Sequence, residues 1–503
     1  MRSRSKKASI NITVMATYEI VAFVCGLILP RLILGVFGST YNGVVSSATQ
    51  FLSYISILRL GIAGSTRVAL YKVLADNDIK GISGIVNATE KYMRKIGLIL
   101  IAYITILALV YPYISNTGLD RLTVALLIII VGTSTFAEYF FGITYNTLLS
   151  ADQSQYIYYA IQIGAKIVNV IVAAILIWLG GSIFVVYSGS AAVYVASPII
   201  LKIIVSKKYS IDKSVLPNNV GLKDRWNVMG HSIANIVHNN TDMIVLTIFC
   251  DIKIVSVYTV YYLVINGLKQ IMNVFTNGLE GAFGNMFAKG EIELAKRNFD
   301  TFEYIMGVFG SIVFSCALLL IIPFIKLYTN GITDVNYIVP AFGICAVVAQ
   351  LLFCIRQPYL TIVQAAGHYK QTRNGAFFEA IINITISVVL VFKFGIVGVT
   401  IGTLIANAFR TLQYAVYLKQ NILNRKIKKF IKTISWITVN IILTSFICSK
   451  ITNLNEINTW GAWISNGAIC CFVAAIVTLL SSIIIYKKMI KMTIDLLNRM
   501  IKR

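Results

Sequence analysis

The chain has 503 residues, of which 57% are hydrophobic and only 13% charged, with a mean hydropathy of +0.78 and a formal net charge of +24. Soluble domains carry about 25% charged residues, so a water-soluble enzyme is excluded at the outset. In a soluble protein the positive charge would suggest nucleic acid. Here it lies beside apolar runs long enough to cross a bilayer, where it sets topology and meets anionic headgroups, and nucleic acid is not an expected partner.

The long runs of Ile, Val and Leu favour helices over a barrel, which would show short alternating segments. An all-α integral membrane protein of about 14 transmembrane helices is expected, since about 20 apolar residues span a bilayer core. The first helix is expected over 10–35 and the second over 41–63, joined by a short polar turn from Gly38 to Asn42. A basic N-terminus before an apolar run resembles a signal peptide, but this run contains Glu19 and lacks a small-residue cleavage site, so an uncleaved helix is read.

A loop from Arg67 to Lys95 then precedes helices at 96–115, 122–148, 156–179 and 182–204. Residues 206–226, rich in Lys and containing Pro217 and Asn218-Asn219, form the most linker-like stretch. Helices follow at 228–250 and 255–277, then a loop over 285–301, then helices at 302–325, 338–365, 374–392 and 395–418. A basic connector, Lys419 to Lys432, leads to a final pair at 433–450 and 464–486 and a basic tail. The expected domains are therefore an N-terminal six-helix lobe (1–205), a linker (206–226), a C-terminal six-helix lobe (227–418), and two added helices with a tail (419–503).

Most of the 44 Lys and Arg residues fall in loops on one side of this arrangement. Cytoplasmic loops carry the excess of basic residues, which puts both termini in the cytoplasm of a multi-pass cell-membrane protein. The opposite connections are too short to hold a catalytic domain. No P-loop or carboxylate cluster is present, so no enzymatic activity and no cofactor is expected. The eight cysteines form no CxxC pair and read as apolar packing residues.

A weak internal repeat is visible. Gly61-Ile62-Ala63-Gly64 and Gly278-Leu279-Glu280-Gly281 both end a helix ahead of an inward-facing loop. The two units enter from the same side, as in transporters built from parallel repeats that bind substrate between two bundles. Close helix packing by glycine is the competing reading.

Ionisable residues inside membrane helices cost about 2.5–3.5 kcal/mol on insertion scales, so they face cavities or one another. This chain has Glu19, Arg59, Glu138, Lys166, Asp242, Lys269, Arg356, Glu379 and Arg410, with Arg31 near a helix end. Arg59 is near enough to a helix end to snorkel, and Arg356 and Arg410 have Glu379 as a potential partner. The surplus of cations suits an anionic substrate such as a phosphate or pyrophosphate, which guanidinium binds through paired hydrogen bonds. His231, Asn235, His238, Asn239 and Asp242 recur at spacings of three and four and share one helix face. That face has three competing readings: contact with sugar hydroxyls, a proton or cation coupling site, and interhelical glue. His238 and Asp242 are too few ligands for a metal.

Several stretches carry a resemblance. They are Arg31-Leu32, Gly38-Ser39-Thr40-Tyr41-Asn42-Gly43, Leu58-Arg59-Leu60-Gly61-Ile62-Ala63, Ala69-Leu70-Tyr71-Lys72 and Ala75-Asp76-Asn77-Asp78. Asn240-Thr241-Asp242-Met243-Ile244-Val245 followed by Val257-Tyr258 adds another. In this order they resemble Wzx-type polysaccharide flippases of Gram-positive capsule and exopolysaccharide loci, in the superfamily that also holds multidrug and toxin extruders and lipid II flippases. The resemblance implies two six-helix lobes in a V plus a C-terminal pair. It also implies transfer of undecaprenyl-pyrophosphate-linked oligosaccharide between leaflets by alternating access.

On that basis Arg31, Arg59, Lys269, Lys166 and Arg356 are the expected substrate-binding cations. Glu19, His231, Asn235, His238 and Asp242 are the expected coupling or polar residues. The implied partners are a lipid-linked oligosaccharide, membrane lipids, H+ or Na+, and polysaccharide polymerase machinery. One departure is local: Arg59 stands where the family stretch has an acid, which puts any copied role for that position in doubt. The alternatives are a drug/cation antiporter or lipid II flippase of the same superfamily, a membrane-embedded polysaccharide polymerase, and a scaffold.

Overall fold

The computed structural model describes residues 4–59, 62–219, 240–276 and 279–493. Among these there is no strand, and one isolated bridge pairs Asn116 with Asp251. Ten helical stretches among the described residues are long and apolar enough to cross a membrane, and the protein is a multi-pass membrane protein. The chain forms two compact units, Met1–Ser256 and Val257–Arg503.

In the first unit, α1 (Arg4–Ser53) is interrupted at Gly38 and runs on through a 3-10 stretch, Tyr54–Arg59. Then come α2 (Ile62–Ala75), α3 (Ile79–Ile114) and α4 (Arg121–Ala137). A π-helical turn, Glu138–Gly142, joins α4 to α5 (Ile143–Ala151). The unit continues with α6 (Tyr156–Trp178), α7 (Ile183–Lys208), α8 (Asn240–Phe249) and the first turn of α9 (Ile252–Thr276). The second unit holds the rest of α9, α10 (Leu279–Ala288), α11 (Ile292–Tyr328), α12 (Pro340–Ile355) and α13 (Gln357–Ala365). It closes with α14 (Tyr369–Asn421), which is broken at Gly395, then α15 (Ile427–Ile451) and α16 (Trp460–Ile485).

Most expected spans overlap these helices, while 228–239 of the helix expected over 228–250 and 220–226 of the expected linker lie outside the described residues. Two expected loops do not exist as loops. Arg67–Lys95 is the end of α2, a three-residue turn, and the first part of α3; 285–301 is likewise α10 running into α11. Charges in both segments lower their hydropathy, yet apolar residues keep helical spacing. Ile82, Ile85 and Val86 on α3 are buried against Leu70, Tyr145, Leu148, Leu201 and Val205. Asp78 caps α3, its carboxylate accepting from the Gly81 N–H at 2.9 Å.

The expected polar turn from Gly38 to Asn42 also contracts, to one residue. Gly38 adopts φ 80°, ψ −178°, a conformation open essentially to glycine alone, and the helix resumes at once.

Large apolar side chains cover the exterior, and small polar ones are set among the apolar residues of the interior. Ile20, Ile106, Leu109, Phe392 and Ile484 are exposed, whereas Ser39, Asn42, Ser47, Thr247 and Ser256 are buried. Asn42 Nδ2 donates to Ser256 Oγ at 2.7 Å, and the Ser47 and Thr247 hydroxyls lie 2.6 Å apart. Small hydroxyl and amide side chains of this kind let helices approach and bond inside a membrane.

The turn between α5 and α6 is tied down by Asp152. Its carboxylate accepts from Lys7 Nζ (3.1 Å), Ser154 Oγ (2.6 Å) and Tyr209 OH (2.6 Å). Burial works against its charge, but these donors hold the carboxyl below its ordinary range.

The order α2 to α7 is repeated by α10 to α14. Ile79 and Ile292 open α3 and α11, Tyr156 and Tyr369 open α6 and α14, and Ile183 and Ile396 open α7 and the second part of α14, each pair 213 positions apart.

Gly38→Ala is expected to cost about 1–3 kcal/mol through its backbone conformation. Gly26→Ala, at a helical position with open space around it, is expected to leave stability unchanged or raise it. Thermal unfolding of the two variants in detergent checks the contrast.

Candidate functional site

The second unit holds the densest group of membrane-embedded charges. Two breaks and one long helix position it. α12 ends at Ile355, and Pro358, which lacks an N–H, sits at the start of α13, so Arg356 falls between two helices. From there Arg356 reaches Glu379 in the first part of α14, and Arg410 reaches the same carboxylate from the second part, with Nε 3.5 Å from Oε2. Arg356 is 5% exposed, Glu379 5% and Arg410 2%, so all three need protein partners.

Each of the three has hydrogen-bond or ion-pair partners within the protein. Arg356 Nη1 donates to Glu379 and to Asn407 Oδ1 (3.3 Å). Asn407 in turn donates to the Ala349 carbonyl (3.0 Å). Arg410 donates from Nη1 to the Thr372 carbonyl (3.1 Å) and from Nη2 to Tyr414 OH (2.7 Å). Arg356 Nε is buried without a hydrogen-bond partner.

Lys269 of α9 joins this group through Phe353. Its Nζ lies 4.4 Å from the centre of the Phe353 ring, and the Arg356 guanidinium carbon lies 4.5 Å from the same ring. Two expected substrate cations, Lys269 and Arg356, are thus brought together. Arg410 shares Glu379 with Arg356, so the linked group holds three cations and one acid. In a low-dielectric interior that surplus is an attractive field for an anion.

The expected residues of the first unit are more dispersed. Glu19 and Arg31 lie half-buried on α1. Lys166 of α6 lies half-buried with Nζ 6.0 Å from the centre of the Tyr18 ring, next in sequence to Glu19. Arg59 ends the 3-10 stretch, exposed, its guanidinium 5.8 Å from the Tyr139 ring. Asp242 is buried on α8. His231, Asn235, His238 and Asn239 lie outside the described residues. Among the described residues no cluster of three or more His, Cys, Asp or Glu has the arrangement of a metal site.

Two features extend the sequence reading. Asn407 bridges Arg356 to the α12 backbone, and nothing in its sequence context sets it apart from other membrane Asn residues. Glu138 and Tyr139 sit in a π-helical turn, a geometry that recurs at functional sites.

Glu379→Gln removes the carboxylate between two buried guanidinium groups and is expected to cost about 3–5 kcal/mol. Adding Arg410→Gln is expected to recover part of that loss, because the two positions are coupled. Thermal unfolding of the single and double variants measures both effects.

No protein-family model matches the chain, and no curated protein matches it in sequence. Solved structures do match. The lipid II flippase MurJ in an inward closed conformation superposes with a TM-score of 0.70 at 15% identity, covering 94% of this chain and 99% of MurJ. An inward-facing multidrug resistance MATE family transporter of the MOP superfamily gives 0.60 at 15% identity, covering 82% of this chain and 99% of its own. A eukaryotic MATE transporter gives 0.57 at 14% identity, covering 86% and 98%. The chain is similar in structure to these proteins over 82–94% of its length, and it has the fold they share.

Proposed function

We propose that the protein flips undecaprenyl-pyrophosphate-linked oligosaccharide repeat units across the cytoplasmic membrane for capsule or exopolysaccharide synthesis. The observation that carries this reading is the cation surplus of the linked group, Lys269, Arg356 and Arg410 with the one acid Glu379. A pyrophosphate is an anion that guanidinium groups bind through paired hydrogen bonds. The fold supports the same direction, since MurJ is a lipid II flippase and its match covers more of this chain than the MATE matches do.

In this reading residues 1–205 and 227–418 are the two working lobes, 206–226 links them, and 419–503 adds a helix pair and basic tail. The basic loops place both termini in the cytoplasm. Arg31, Arg59, Lys166, Lys269 and Arg356 offset the pyrophosphate charge while the lipid tail stays in the bilayer. The lobes alternate access, and H+ or Na+ at Glu19 or Asp242 resets them. The His231, Asn235 and His238 face contacts sugar hydroxyls or takes part in coupling. The product then passes to a polysaccharide polymerase.

A second reading, a drug/cation antiporter, draws on the MATE matches. It calls for an acid-rich site, and the acid-poor cluster of the second unit argues against it.

Deleting the gene is expected to abolish surface polysaccharide and trap complete lipid-linked repeat units on the inner leaflet. Normal surface glycan with raised sensitivity to cationic dyes would move the protein to the antiporter reading. In the complemented strain, Lys269→Ala is expected to slow export roughly ten- to a hundredfold, the equivalent of one charge-assisted hydrogen bond of about 1.5–3 kcal/mol.

A further inference from the structure

Outside the charge cluster of the second unit, each unit carries a further group of charges around a buried glutamate, and the two groups share a common part. To this part the first group adds Arg94 (3.0 Å) and Lys202 (3.1 Å) on Glu90, where the equivalent positions of the second are Gly307 and Ala415. In the first unit Glu90 of α3 accepts from Tyr145 OH at 3.2 Å, and Lys213 donates both to Glu90 and to Tyr145 OH (3.1 Å). In the second unit Glu303 of α11 accepts from Tyr359 OH, and Arg425 donates both to Glu303 and to Tyr359 OH (3.3 Å). The connectivity is the same: cation to tyrosine, tyrosine to glutamate, cation to glutamate.

The positions are equivalent as well. Glu90 and Glu303 are each the twelfth residue of their helix, 213 positions apart. Tyr145 and Tyr359 are each the third residue of α5 and α13. Lys213 and Arg425 each lie in the connector that leaves the last helix of the repeat, α7 or α14. Around the glutamates the two helices share a pattern: Asn87 or Asp300, Glu90 or Glu303, Met93 or Met306, Gly97 or Gly310.

The fourth member bonds the connector in both units, as a donor in the first and as an acceptor in the second. Asn87 Nδ2 donates to the connector carbonyls of Asp212 (2.9 Å) and Val215 (3.0 Å). Asp300 accepts from Arg425 Nε (2.8 Å) and Lys429 Nζ (2.6 Å).

Helix length explains where the groups sit. α3 has 36 residues and α11 has 37, about 54–56 Å at 1.5 Å per residue, against about 30 Å of hydrocarbon. The excess lies in their first parts, where Glu90 and Glu303 stand. The two glutamates and Arg425 are buried, with Glu90 4%, Glu303 5% and Arg425 5% exposed, whereas Lys213 reaches Glu90 from the exposed surface of the connector. Burial works against the Lys213 ammonium, yet its bonds to Glu90 and Tyr145 hold it above its ordinary range. Arg425 is raised against the same penalty by Glu303, Tyr359 and Asp300.

We propose that each lobe carries the same glutamate–tyrosine–cation clasp, and that the clasp fixes the connector leaving the lobe onto that lobe's own helices. The connector then moves as part of the lobe it leaves, without slack. In the first unit backbone bonds extend the hold: the Asp212 N–H donates to Ser83 Oγ (3.0 Å) and the Asn218 N–H to the Gly84 carbonyl (2.9 Å). The device does not depend on what the protein transports.

Amide hydrogen exchange of the full-length protein in detergent tests it. Glu90→Gln is expected to speed exchange in 209–219 roughly tenfold while 422–426 stays as in the wild type; Glu303→Gln is expected to do the reverse. The milder Tyr145→Phe and Tyr359→Phe, which remove one hydroxyl each, are expected to move the same connectors less, and they serve if a glutamate variant does not fold. Unchanged exchange in the connectors of the folded variants overturns the proposal. So does loosening of both connectors by a change in one lobe.

Discussion

No water reaches the hydrocarbon core of a bilayer, so every polar group placed there must find its partner within the protein. This constraint organises the whole chain. It makes the spans helical, turns large apolar side chains outward, and gathers Ser, Thr and Asn between helices. It also explains why Arg356, Glu379 and Arg410 converge from three separate helical segments. None of the three is affordable alone at that depth. Together they share one carboxylate between two guanidinium groups, draw further bonds from Asn407, Thr372 and Tyr414, and leave a positive balance with Lys269.

The helix breaks serve the same constraint. Gly38 and Gly395 interrupt α1 and α14 within a single residue each. A longer irregular stretch would expose several backbone groups at once. The interruption at Arg356 is equally brief and places the guanidinium between the ends of α12 and α13, where it can turn toward α14. The site is thus positioned by one helix junction and the two parts of α14 rather than by loops.

Much of the fold was legible in the sequence, because a span announces itself by length and hydropathy. The helices expected at 156–179 and 182–204 correspond to α6 and α7 within a few residues. The first parts of α3 and α11 were not legible in that way. Their charges lowered the hydropathy, and the signal that survived was a periodic one, Ile82, Ile85, Val86 and Met93 on one face. The pairing of Arg356 and Arg410 with Glu379 was open to sequence reading, since the alternative was three buried charges without partners. The clasps were not, because their members come from two helices and a connector, and Glu90 stands in a segment read as loop. The repeat was glimpsed in the glycines at 61 and 278. Its spacing is 217 at α2 and α10 and 213 at α3 and α11, because α10 is one helical turn shorter than α2.

The fixed spacing of the two halves also separates what duplication kept from what divergence changed. The clasp residues match in kind: acid with acid, tyrosine with tyrosine, base with base. The membrane-embedded charges do not. Glu379 occupies the position that Lys166 holds in the first half, Arg410 that of Ser197, and Arg356 that of Gly142, by the 213–214-residue spacing. A chain of this kind has retained one inherited mechanical part in duplicate while its halves specialised in charge. Each half therefore keeps the same fastening but its own membrane-embedded charges, and neither half repeated alone would reproduce the charges of the other.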